Sequence, residues 1–248
     1  MMKTLAKYFR FTAMLFALLM PALACSLSVV TGSGRVTSEA RTVSGFDAVS
    51  LSGSGELVIT QGETEGLTIE AEDNILPHIK TEVKNGELII AFDREDGGSF
   101  YRPTQPIQFN LALKDLRTLD LSGSGSVYAT ALKADRLTVN VSGSGSVKFD
   151  QLQANDLNYD LSGSGQAELS GQVTSQQVNI GGSGDYRAGD LESQTAVVKM
   201  SGSASVTLWA QESLDVHMSG SGSVSYYGSP KITSDTSGSG SLNSLGDK

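Results

Sequence analysis

The chain has 248 residues, with 18 Lys and Arg against 27 Asp and Glu, for a net charge of −9 at neutral pH. An acidic chain lacks the basic patches that phosphate backbones require, which argues against nucleic acid as a partner and against electrostatic docking on anionic lipid. Cys25 is the only cysteine, so no disulfide can form within the chain and packing alone must hold the fold.

The N-terminus has the layout of a secretory signal. Lys3, Lys7 and Arg10 precede the apolar run Phe11 to Leu19, and Pro21-Ala22-Leu23-Ala24 follows. This is the order of a basic region, a short apolar region and a small-residue cleavage site. The run is too short to span a bilayer, which takes about 20 apolar residues. Residues 1–24 hold three basic and no acidic side chains, so the mature chain would carry −12. Such acidity suits solubility in an exported protein.

Cleavage is expected between Ala24 and Cys25, and two readings of Cys25 stand. Ala22-Leu23-Ala24 can be a plain cleavage site that leaves a free thiol. Alternatively, Ala22-Leu23-Ala24-Cys25 resembles a bacterial lipobox, with Ala22 where the usual motif has leucine, and Cys25 is lipidated. A lone thiol in an oxidising compartment is a liability, so the acyl site is the reading we take. No aspartate follows Cys25, and by resemblance to envelope lipoproteins the destination is the outer membrane, otherwise the periplasm or the exterior. Residues 25–43 then read as a tether.

Residues 44–116 hold strand-like runs over Glu56–Thr60, Leu67–Ala71, Lys80–Val83, Glu87–Phe92 and Ile107–Leu113. Asn85-Gly86 reads as a hairpin turn. Asp93 to Pro106 reads as a loop. This part is expected to form irregular first coils and a cap over an open sheet end.

From residue 117 onward an internal repeat dominates. Ser-Gly-Ser-Gly begins at Ser52, Ser122, Ser142, Ser162, Ser219 and Ser237, with degenerate copies at Gly181 and Ser201. From Ser122 the steps are 20, 20, 19, 20, 18 and 18 residues. A flexible linker has no reason to keep flanking apolar residues in register, yet they do keep it. Leu119, Val139, Tyr159, Val178, Val198 and Val216 form one column, and Leu121, Val141, Leu161, Ile180, Met200 and Met218 another. Between them lie Asp120, Asn140, Asp160, Asn179, Lys199, His217 and Asp235. Apolar–polar–apolar alternation marks a strand with one buried face. Val127, Val147, Ala167, Tyr186 and Val206 resume the pattern after the signature. A second turn is expected around Lys133-Ala134-Asp135 and Gln153-Ala154-Asn155-Asp156. At roughly 3.3 Å per residue, such a unit makes a circuit of about 60 Å. One unit cannot bury its inner face, so units must stack. No proline occurs from Ile107 to Ser229, as central strands demand. The expected fold is therefore all-β: a right-handed parallel β-solenoid with 18–20-residue coils and a less regular N-terminal β portion, forming a single domain over residues 44–248. The hand follows from the preference of parallel crossovers.

The sequence also resembles a bacterial family, the putative auto-transporter adhesin, head GIN domain. The residues that carry the likeness are Gly45-Phe46-Asp47-Ala48-Val49, Gln61-Gly62, Ile69 to Asn74, Thr81-Glu82-Val83, Gly86 to Ile90, Pro106-Ile107, the Ser-Gly-Ser-Gly series and Tyr227 to Ile232. The likeness spans about residues 44 to 245. It implies an exported β-helical domain, often on lipoproteins, and no established chemistry.

Residue chemistry points away from catalysis and from cofactors. His78 and His217 are the only histidines, and neither has clustered ligand partners for a metal. The repeated serines lack a base partner. The strongest argument for an enzyme is the polar column. Asp120 and Asp160, two coils apart, would lie about 10 Å from each other, at the upper edge of the carboxylate spacing of inverting glycosidases. Ladders of Asp and Asn beside strands are also common structural features, and the repeats carry almost no loops to wall a cleft. The reading adopted is a non-catalytic surface binding or adhesion module for a glycan or another envelope protein, with Asp120, Asn140, Asp160 and Asn179 as the ligand-facing column. A structural or self-associating envelope lipoprotein is the alternative, and a carbohydrate-active β-helix enzyme comes third.

Overall fold

The computed structural model describes residues 29–93 and 100–248. The chain is a β-solenoid of about six turns with a less regular N-terminal part. In chain order its first nine strands are β1 (Val29–Thr31), β2 (Val36–Arg41), β3 (Ala48–Gly53), β4 (Glu56–Gln61), β5 (Gly66–Glu72), β6 (Ile79–Lys84), β7 (Glu87–Phe92), β8 (Phe100–Arg102) and β9 (Gln108–Leu113). The regular part follows as β10 (Thr118–Gly123), β11 (Ser126–Ala129), β12 (Leu132–Gly143), β13 (Ser146–Gly163), β14 (Gln166–Ile180), β15 (Asp185–Gly202), β16 (Ser205–Gly220), β17 (Ser223–Tyr227), β18 (Lys231–Gly238) and β19 (Ser241–Ser244).

Successive coils pair in parallel with identical positions over one another: Leu119 over Val139, Val139 over Tyr159, Ser122 over Ser142. Inward columns are buried without interruption, and one apolar cluster runs from Val43 to Val224. The signature forms the corner between strands. Gly143 takes φ 117°, and a methyl group added there would sit 2.6 Å from the carbonyl oxygen of Gly123 in the coil below. Only glycine combines that conformation with so close an approach. The N–H of Ser144 donates to this same Gly123 carbonyl at 2.8 Å.

The expected second turn is not a turn. Lys133 to Asp135 and Gln153 to Asp156 lie inside the continuous strands β12 and β13 and pair with their neighbours in register. Polar composition suggested a break, but side chains pointing away from the core need not be apolar, and the backbone stays in the ladder. Each coil therefore has a third β side.

The N-terminal part stacks out of chain order. The Ser52 signature lies directly beneath Ser122, 70 residues later, with a hydroxyl–hydroxyl bond of 2.9 Å. On their other sides β3 pairs with β7 and β4 with β9, all parallel. The coil formed by β7 and β9 thus lies beneath the earlier coil formed by β3 and β4. The chain then passes back to β10, held where the Arg117 N–H donates to the Asp47 carbonyl at 2.7 Å and the two side chains pair at 2.5 Å. The hairpin at Asn85-Gly86 forms as read, with both residues at positive φ and β6 antiparallel to β7.

The segment expected as a tether is partly folded. β2 pairs antiparallel with β5, and β1 pairs with β8. The physical reason is a buried carboxylate, Glu72, which is 1% exposed. It accepts from the Gly34 N–H at 2.7 Å, the Thr104 N–H at 2.8 Å and the Thr104 hydroxyl at 2.5 Å. The Thr104 hydroxyl, joined by N–H groups of Thr104, Gly34 and Gln105, holds this carboxyl below its ordinary range against the opposing effect of burial. A charge buried this way needs every one of those donors, so the 33–34 segment and the 104–105 loop close on it together.

Candidate functional site

The predicted column forms as a column. Parallel register sets Asp120 beside Asn140, Asn140 beside Asp160, and Asp160 beside Asn179, followed by Lys199, His217 and Asp235. All four predicted residues are half-buried. They join in two closed pairs: the Asn140 amide donates to Asp120 at 2.6 Å, and the Asn179 amide donates to Asp160 at 2.7 Å. A shallow groove of about 690 Å³ runs along this side from Asn140 to Asp235. At two strand spacings, about 10 Å, Asp120 and Asp160 stand at the upper edge of the inverting-pair spacing, with Asn140 between them and bonded to Asp120. The arrangement offers donors and acceptors to a ligand; as a ladder it also ties coil to coil.

A larger groove, about 860 Å³, follows the third side of the coils. Its long row is Lys133, Gln153, Gln172 and Glu192, one residue from each of four successive coils in parallel register; in the next coil Trp209 takes the paired position and Gln211 lies two residues further on. Asp135, Asn155, Thr174 and Gln194 form the opposite outward row, and between the two Ala134, Ala154, Val173 and Ser193 turn inward, Val173 and Ser193 buried and the two alanines packed against the core. Two outward rows flanking an inward-facing position make the depression. The Gln211 amide donates to Glu192 and the Asn155 amide donates to Asp135 at 2.6 Å. Gln153 and Gln172 are exposed.

At one end Gln61 closes this groove by imitating a backbone rung. Its amide donates to the Lys133 and Lys114 carbonyls, each at 2.9 Å, and accepts from the Lys133 N–H at 2.7 Å. Beneath the other end lies a buried polar chain. The Tyr186 hydroxyl donates to Gln176 Oε1 at 2.9 Å, the Gln176 side-chain amide donates to Ser193 Oγ at 2.8 Å, and the Ser193 hydroxyl donates to the Trp209 backbone carbonyl at 2.6 Å. Burial pushes the phenols of Tyr159 and Tyr186 far up, so both stay neutral; Tyr186 donates, while the buried Tyr159 hydroxyl has no hydrogen-bond partner.

Sequence reasoning placed Tyr159 and Tyr186 in the core, and both are fully buried, with ring centroids 5.1 Å apart. Trp209, Tyr226 and Tyr227 are half-buried. The Lys248 ammonium lies 4.9 Å from the Tyr227 ring centre and 5.7 Å from that of Trp209. His217 sits 3.2 Å from the Asp215 carboxylate, and His78 lies against the Tyr101 ring at 4.8 Å. Among the described residues, no three His, Cys, Asp or Glu side chains gather as a metal would require, and no helix is long and apolar enough to cross a membrane. Ala24 and Cys25 lie outside the described residues. The amide row of the third side escaped the sequence reading because its residues were assigned to turns. Its signal was a third recurring column, half a coil away from the signature.

Comparisons with known proteins agree on the fold. No curated protein matches the chain. A putative adhesin from Bacteroides fragilis is 24% identical, with a TM-score of 0.78 over 87% of this chain and all of that one. A protein from Parabacteroides distasonis described as a putative lipid binding protein is 26% identical, with a TM-score of 0.73 over 88% of this chain and all of its own. A putative adhesin from Parabacteroides merdae, 19% identical, aligns over 88% of this chain and 99% of its own with a TM-score of 0.71. The model of one family matches residues 45–230, which include the hairpin, the signature copies from Ser52 to Ser219 and the larger groove. This chain therefore belongs to the family described as putative auto-transporter adhesin, head GIN domain.

Proposed function

We propose that the protein is an exported, lipid-anchored envelope module that binds an extended, hydroxyl-rich polymer, a glycan strand, along its third side without chemically changing it. The observation that carries this reading is the in-register row of Lys133, Gln153, Gln172 and Glu192, with the Gln211 amide on Glu192, facing the second outward row of Asp135, Asn155, Thr174 and Gln194. An amide both donates and accepts, as a sugar hydroxyl does. At about 4.8 Å per coil, the four rungs offer contacts along about 14 Å of chain, and extended repeat surfaces suit such ligands. The adhesin descriptions of the family and of its solved relatives support a binding role. Export rests on the basic and apolar N-terminal pattern, and anchoring on Cys25 at the expected cut.

The test is co-sedimentation of residues 26–248, which contain every described strand, with a panel of insoluble bacterial and host polysaccharides, together with assay of the supernatant for released sugar. Saturable binding without release is expected. Replacing Gln153 and Gln172 together by alanine should weaken binding roughly tenfold or more, at about 0.5–1.5 kcal/mol per hydrogen bond lost. Sugar release that disappears in Asp120→Asn or Asp160→Asn would instead establish an enzyme. Absence of binding to every polymer would move the weight to an envelope-protein partner, sought by pull-down from envelope extracts.

A further inference from the structure

The two ends of the solenoid differ. At the N-terminal end the coil formed by β7 and β9 is covered by antiparallel strands, β6 on β7 and β5 on β9. At the C-terminal end β18 pairs with β16 and β19 with β17, and among the described residues no strand pairs with the opposite edge of either. β18 is exposed over its whole length. Its interior positions turn polar, with Ser234 and Thr236 over Val216 and Met218, while Ile232 stays 39% and Leu245 45% exposed. An edge of aligned, unpaired N–H and C=O groups is a template for one more strand.

We propose that this edge pairs with the same edge of a second copy, antiparallel and two-fold symmetric about Thr233, to close an end-to-end dimer. This inference is independent of the glycan reading. The register follows from charge and facing. Lys231 and Asp235 are the only charged residues of β18. Centring on Thr233 sets Lys231 of each copy opposite Asp235 of the other, so two ion pairs form, and it sets Ile232 opposite Ser234 on the inner face. Centring on Ile232 or Ser234 breaks both ion pairs, and centring on Asp235 brings two carboxylates together. Half-step registers would oppose inward and outward side chains, which the period of two forbids. The ladder ends at Pro230, which has no N–H to give. Because the edge pairs with its own copy about a two-fold axis, the contact is isologous and closes at two through this edge.

Sedimentation velocity of residues 26–248 over a concentration series tests this, with thermal melts showing that each variant is folded. The expected result is a reversible dimer. Lys231→Asp and Asp235→Lys should each weaken it about tenfold by turning two attractions into two repulsions, and the double exchange K231D/D235K should restore it. A monomer at the highest concentration the chain tolerates overturns the proposal. So does a dimer indifferent to the single exchanges, one that the double exchange fails to restore, or growth into filaments.

Discussion

At single residues, the fold depends on a few side chains with no substitute. Gly143 is one: alanine there would need a positive φ and would press on the Gly123 carbonyl. Gly143→Ala should cost about 2 kcal/mol or more, read as a lower midpoint in chemical denaturation. Glu72 is another. Its folded pKa lies below the ordinary glutamate range, so its contribution is complete above that range and is lost as pH falls through the folded pKa. The melting temperature of the native chain should therefore exceed that of Glu72→Gln clearly at pH 6, and the gap should narrow steadily toward pH 3. A gap that is constant with pH would show that the carboxylate charge is not what closes the N-terminal segment. Neither role could be read from sequence. Glu72 lies in a run, Ile69 to Asn74, that resembles any strand end, and its partners Gly34 and Thr104 are more than 30 residues away on either side.

At the level of the element, the third side of each coil is the main departure from expectation. Lys133-Ala134-Asp135 has the composition of a turn, yet the strand that holds it pairs with the coil above, and a satisfied ladder outweighs weak local preference. Where the ladder has no strand to continue it, below Lys133, the Gln61 side chain takes its place. Gln61→Ala would leave the Lys133 N–H and carbonyl to water and should cost about 1–2 kcal/mol, measured by denaturant unfolding; Gln61→Glu would keep the acceptor and lose the donors, and should fall between the two. The hairpin at Asn85-Gly86 shows the opposite case. Its turn chemistry is purely local, and for that reason it was legible.

For the whole molecule, stacking in one dimension makes stability uneven along the axis. Coils from β10 to β16 have partners on both sides, whereas β18 and β19 have one partner each and β2 pairs only with β5. Amide hydrogen exchange at concentrations where the chain is monomeric should be slowest in β12 to β15 and fastest in β18, β19 and β2. Equal protection throughout would mean that the solenoid opens as one cooperative unit. The same one-dimensional logic explains why the coil of β7 and β9 can lie beneath the earlier coil of β3 and β4: a coil edge accepts any matching strand pair, whatever its place in the chain.

The sequence by itself determined the solenoid, the columns that line its core, the corner signature and the order of Asp120, Asn140, Asp160 and Asn179, because a repeat that recurs every 18 to 20 residues must stack like on like to bury its apolar face. Tertiary structure alone decided the reversed stacking of the first coils, the closing of residues 33–34 and 104–105 on Glu72, the third side with its amide row, and the contrast between a covered and an open end. Each of these depends on which distant backbone groups find partners, and no local pattern of residues carries that information.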